Sequence, residues 1–127
     1  MQVKIITPEA TLFSGEALAV YIPGTLGDFG VLPGHEPFIS TIRPGVIAVE
    51  SEGAKLKIAV TSGIAEVAGE HCNVLIESAL DVTSLSAADA GVRVSEAKAL
   101  LADADNDAER KAAEQKLAMA EAVLFAA

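Results

Sequence analysis

The chain has 127 residues and a formal net charge of −9, nine basic side chains standing against eighteen acidic ones. That balance repels nucleic acid and anionic lipid surfaces and so argues against both as partners. Apolar residues make up 51%, too many for a disordered chain, but aromatics are only 4% and tryptophan is absent, so the core must rest on Val, Ile, Leu and Ala.

A chain of this length holds one domain, or a small domain with an appendage. The acidic excess is not a tail: four basic and ten acidic residues occur up to Val82, five and eight after it. The longest apolar runs, at 17–22 and 74–76, fall far short of the roughly 18 residues a membrane-spanning helix needs. No charged-then-apolar leader opens the sequence, and Cys72 is the single cysteine, so a reduced, intracellular setting is expected, with Cys72 as small apolar filler.

In chain order, β-branched segments at 3–5, 18–22, 46–49, 56–60, 64–67 and 72–76 are separated by Gly, Pro or Ser-Glu-Gly turns. At least six strands are predicted. Spacings of about eight to twelve residues with turn signals between them point to an antiparallel sandwich or barrel, not to βαβ units. Ser51-Glu52-Gly53 and Ala68-Gly69-Glu70 read as hairpin turns whose glycines supply the backbone angles that tight turns demand. Residues 27–45 hold four glycines and three prolines among Phe29, Val31, Leu32, Phe38, Ile39 and Ile42. This density predicts a bent loop of fixed shape, packed against a sheet.

After Thr83 the composition turns to alanine, leucine and charged residues, with Gly91 the last glycine and no proline. Ser86 and Asp89 form a capping box that starts a helix. Ala90, Val94, Ala97, Leu101 and Ala104 recur at alternating spacings of four and three, one stripe of a two-helix seam. Asp103-Ala104-Asp105-Asn106-Asp107 interrupts the pattern, Asn106 with Glu109 forms a second capping pair, and Ala113, Leu117, Ala120, Leu124 and Ala127 resume it. The fold class is therefore α+β: an N-terminal antiparallel β-sandwich over residues 1–83, then an antiparallel two-helix hairpin over 84–127. With alanine at so many seam positions, the hairpin should hold together better than it holds to the sandwich.

Chemistry-bearing patterns are sparse. His71 and Cys72 are adjacent on a strand and so point to opposite faces, which prevents a shared metal. His35 with Glu36 could make a general base, or could make local or partner contacts. The glycines from Gly24 to Gly30 lack the Lys-Ser or Lys-Thr and the following helix that a phosphate loop requires. Asp103, Asp105, Asp107 and Glu114 match calcium-loop positions one, three, five and twelve, but Ala108 stands where glycine is needed and Arg110 where an apolar residue belongs. No catalytic set, cofactor fingerprint or metal set is therefore assigned, and the residues describe a binding or coupling module. Read without relatives, it could equally be a free-standing β-sandwich that binds a small ligand or peptide and dimerises through its helical arm.

Several segments fall in the order and spacing of a known family: Phe13-Ser14-Gly15, then Gly27-Asp28-Phe29-Gly30-Val31-Leu32-Pro33-Gly34-His35-Glu36-Pro37, then Ile42-Arg43-Pro44-Gly45 and Ser62-Gly63-Ile64-Ala65-Glu66-Val67. On these segments the whole chain resembles the ε subunits of the F1 sector of rotary F-type ATP synthase.

That resemblance implies a central-stalk subunit of a proton-translocating machine, peripheral on the cytoplasmic side of a bacterial inner membrane. It would be bound to the γ subunit and the c-ring, with the α and β subunits in reach of its C-terminal helices. It implies no cofactor, no nucleic acid and no direct membrane insertion. By motif position Asp28 and His35 are the candidate ring contacts and Ser40 the candidate γ contact. Some members bind ATP through an acidic and an arginine residue at the start of the first helix; Ser86 and Asp89 hold those positions here, so weak or absent ATP binding is expected. The family's helices can also extend to block hydrolysis, an action that depends on basic residues. After Lys116 this chain has no basic residue and one acid, Glu121, so inhibition should be feeble.

Overall fold

The computed structural model describes residues 1–34, 36–83 and 87–126. Among these, the chain forms β1 (Gln2–Ile6), β2 (Thr11–Glu16), β3 (Ala19–Gly24), β4 (Gly27–Val31), β5 (Phe38–Ile42), β6 (Gly45–Ser51), β7 (Ala54–Val60), β8 (Gly63–Ala68), β9 (His71–Ile76) and β10 (Ala79–Asp81), then α1 (Ala87–Ala102) and α2 (Asp107–Ala126). The strands join in the order β10-β7-β6-β3-β5-β8-β9-β1-β2, with β4 on β3, and the sheet folds over into a sandwich.

Alternation of side chains drives the closure. Along β6 and β9 every second residue is buried, and Ile5, Ile22, Ile47, Ile58, Val20, Val31, Val60 and Val74 meet in one aliphatic core. Each such side chain contributes about 1.5–3 kcal/mol on leaving water, which is how a core without tryptophan suffices. The two expected hairpin turns are present, with Gly53 at φ 74° and Gly69 at φ 61°, angles an L side chain adopts only at a cost.

Two features differ from the sequence reading. Residues 27–45 are not one loop, because β4 and β5 lie inside them. Two of β4's five residues are glycine, so the apolar alternation that marks a strand is missing there. The sheet is also not wholly antiparallel: β1 runs parallel to β9, from Gln2 opposite His71 to Ile6 opposite Leu75. These strands lie at opposite ends of the sheet-forming chain, so no short turn dictates their relative direction.

The helices fold back on each other with Ala90, Val94 and Ala97 of α1 and Ala113, Ala120 and Val123 of α2 buried. Asn106 caps α2 as expected: its Oδ1 accepts the Glu109 N–H at 2.9 Å, while Glu109 Oε2 accepts the Asp105 N–H at 2.9 Å. The Ser86 cap, the side chain of Leu124 and Ala127 lie outside the described residues. The hairpin rests through α2 on β6 and β7, burying Ala59, Val82, Ala90 and Val123.

Candidate functional site

The β3–β4 hairpin turns over two residues, Thr25 and Leu26, with Gly24 paired to Gly27 at its base. Gly24 is required by space: a Cβ there would lie 2.6 Å from the Gly27 carbonyl oxygen and 2.9 Å from the Phe29 ring. Leu26 stands fully exposed at the tip.

The end of β5 runs beside this tip and is tied to it. The Thr25 N–H donates to the Thr41 carbonyl at 3.1 Å, and the two threonine hydroxyls share a hydrogen bond of 2.5 Å. The Arg43 N–H donates to the Pro23 carbonyl at 3.0 Å, Nη1 to the Gly24 carbonyl at 2.7 Å, and Nη2 to Asp28 Oδ1 at 2.5 Å. Gly45 passes beneath Pro23 where a Cβ would lie 2.9 Å from the proline ring, and Phe29 meets Phe38 edge to face at 5.1 Å. Two turns distant in sequence thus form one corner.

Asp28 lies on this corner, its side chain 74% exposed, and Ser40 lines the same groove between β4 and β5. The structure brings these two candidates together; His35 lies outside the described residues. Ser40 is half-buried opposite the fully buried Ala65, and its hydroxyl donates to the Thr41 carbonyl at 2.9 Å. Its neighbours Ile39 and Thr41 are exposed. Arg43 is not among the candidates read from the sequence, although it stands in the segment Ile42-Arg43-Pro44-Gly45. Its partner lies 15 positions upstream on another strand, and nothing local marks an arginine between Ile42 and Pro44 as one end of an ion pair.

Beside the corner the outer sheet face carries Ile39 on β5, Ile64 on β8 and Leu75 on β9, with Thr41 opposite Ile64 and Ile64 opposite Leu75. The three aliphatic side chains are 68%, 44% and 53% exposed. This apolar row stands on the surface of an otherwise acidic protein. On the other side of the corner, Asp28, Arg43 and Pro44 share a groove with Ala122 of α2.

The remaining motifs resolve into structure. The glycine run from 24 to 30 is the β3–β4 hairpin, His71 is exposed while Cys72 points inward, and Asn106 of the acidic loop is taken up as a helix cap. Burial pushes the Cys72 thiol up to about 11, which keeps it unreactive at neutral pH. A cleft of about 240 Å³ between the helices and the sheet is lined mainly by apolar side chains such as Leu80, Met119 and Val123, with Arg93, Glu96 and Lys116 at its walls.

The family model "ATP synthase, Delta/Epsilon chain, beta-sandwich domain" matches residues 1–82. The chain is 42% identical over 124 residues to the ATP synthase epsilon chain of Rhodospirillum rubrum, covering 97% of this chain and 92% of that one. It is 42% identical over 114 residues to that of Parvibaculum lavamentivorans, covering 89% and 86%. Among solved structures, a chain of the Euglena gracilis mitochondrial ATP synthase (OSCP/F1/c-ring) superposes with a TM-score of 0.78 at 24% identity, over 98% of this chain and 79% of that one. One from the Tetrahymena thermophila mitochondrial ATP synthase (central stalk/c-ring) gives 0.66 at 12%, over 98% and 94%. At these identities the structures bear on the fold.

Proposed function

Since the chain belongs to the ATP synthase delta/epsilon family, we propose that it is a non-catalytic central-stalk subunit of a proton-translocating F-type ATP synthase, turning with the rotor and coupling ring rotation to ATP synthesis in F1. The observation that carries this reading is the corner itself. A part that passes torque must not shear, and this turn is held to β5 and to Arg43, just past its end, by backbone, hydroxyl and guanidinium bonds at once.

In this reading the tip of the β3–β4 hairpin, with Asp28 and with His35 of the following connection, meets the c-ring. The γ subunit covers the neighbouring outer face with its apolar row of Ile39, Ile64 and Leu75, while Ser40, between the exposed Ile39 and Thr41, turns its side chain to the opposite, inner face of β5. Ser40 acts there by shaping β5, since its hydroxyl is already bonded within the strand. The division at residues 83 and 84 belongs to the same proposal, as does the peripheral position on the cytoplasmic side of a bacterial inner membrane. Among the described residues no helix is long and apolar enough to cross a membrane.

Pull-down with the tagged chain from membranes is expected to recover γ and c subunits. Recovery of neither, with the chain self-associating through its helices, would favour a free-standing binding module. The helices are expected to add little regulation, and the mainly apolar cleft beneath them supports weak or absent ATP binding. Isothermal titration with ATP is expected to show no micromolar site.

A further inference from the structure

We propose that Arg43 is the positioning residue of the ring contact: it sets where the Asp28 carboxylate stands, so that the β3–β4 turn meets its neighbour as a preformed surface. The inference rests on the reading of Asp28 as a ring contact.

Gly24 and Asp28 lie on the two arms of the hairpin, just before and just after its tip. One guanidinium spans them, with Nη1 on the Gly24 carbonyl at 2.7 Å and Nη2 on Asp28 Oδ1 at 2.5 Å. The planar fork delivers both bonds from a single rigid group, which a lysine's point charge cannot do. The base from which Arg43 reaches is itself fixed. Its N–H is bound to the Pro23 carbonyl at 3.0 Å, and the following Pro44 confines the Arg43 backbone to extended angles. Arg43 and Asp28 are 44% and 74% exposed, so solvent screens the pair and its effect on overall stability is small. What it governs is direction. With Oδ1 held by Arg43, the carboxylate is fixed in orientation and its second oxygen, bearing both lone pairs free of that bond, is the stronger remaining acceptor for a donor from a partner.

The test uses the complete synthase carrying Asp28→Ala, Arg43→Ala, Arg43→Lys or the double Asp28→Ala/Arg43→Ala, assayed in inverted membrane vesicles for ions pumped per ATP hydrolysed. Thermal unfolding of the purified full chain is measured in parallel. Both alanine singles are expected to lower coupling by about fivefold, the scale of one solvent-screened hydrogen bond. The double should be no worse than either single, because both changes remove one interaction. Arg43→Lys should recover part of the loss, and the unfolding midpoint should scarcely move. A double variant that falls further than either single would show that Arg43 acts apart from Asp28 and would overturn the proposal. So would Arg43→Ala coupling normally while Asp28→Ala fails, an outcome that leaves the ring contact standing. Normal coupling in Asp28→Ala would instead remove the ring-contact reading, and this inference with it. If Arg43→Ala does not assemble, Arg43→Gln, which keeps a donor for Gly24 without the charge, takes its place; normal coupling there overturns the proposal.

Discussion

Gly63 opens β8 with no space over its α-carbon: a Cβ would lie 2.1 Å from the Leu75 carbonyl oxygen and 2.9 Å from the Ile76 side chain. The obstacle includes backbone of β9, so it cannot swing aside as a side-chain tip would. Gly63→Ala is expected to cost about 3 kcal/mol, at the upper end of overpacking penalties, and chemical denaturation of the variant would measure it. An unchanged midpoint would mean that β8 and β9 can separate here. Cys72 makes a second prediction at this scale. Its thiol is raised from 9.0 to about 11 by burial, so the unfolded chain loses this proton first. The contribution to stability is complete below pH 9 and is lost as pH rises through 11. Cys72→Val should flatten that alkaline fall in a pH series of denaturation curves, and thiol reagents should label the native protein only as fast as it opens.

Among the elements, the helical hairpin is the one with least to hold it in place. In the described residues four buried side chains, Ala59, Val82, Ala90 and Val123, join it to the sheet, against sixteen in the sandwich core. Two of the four are alanines, which bury little area, whereas Ala97, Ala113 and Ala120 let the two helices approach each other closely. Such a hairpin depends strongly on its own local signals. Asn106→Ala removes the acceptor for the Glu109 N–H and should destabilise α2 by about 1 kcal/mol, read as an earlier thermal loss of far-ultraviolet helical signal. Near-ultraviolet signals from Phe29 and Phe38 in the sandwich should keep their midpoint.

For the molecule as a whole, the sandwich and the hairpin carry separate parts of the proposed work. The sandwich holds the corner and the apolar row, while the helices carry five basic and eight acidic residues after Val82, with no basic residue beyond Lys116. A segment of that charge has little with which to grip acidic surfaces on neighbouring subunits. Deleting everything after Thr83 is therefore expected to leave ATP hydrolysis by the reassembled F1 within about twofold of the full-length complex, a difference under 0.5 kcal/mol in barrier. A strong acceleration on deletion would show that the helices inhibit after all.

Much of this protein could be read from its sequence because the signals are local. Turn glycines at 53 and 69, the β-branched runs of β6 and β9, the Asn106 cap and the seam residues Ala90, Val94, Ala97, Ala113 and Ala120 each act over a few residues and stand where their pattern placed them, while Val123, outside that pattern, is buried with the seam. Family membership was legible for a related reason, since the motif from Gly27 to Pro37 is contiguous. Tertiary structure decided the rest. The parallel pairing of β1 with β9 joins strands with no turn between them, and β4 hides behind two glycines, Gly27 taking a φ of 142° and Gly30 packing closely on the Tyr21 ring, neither of which adds to an apolar alternation. The Asp28–Arg43 bond links a hairpin turn to the end of a strand 15 residues on. Interactions between residues far apart in the chain leave no periodic trace in it, because what selects them is the space the folded sheet brings together.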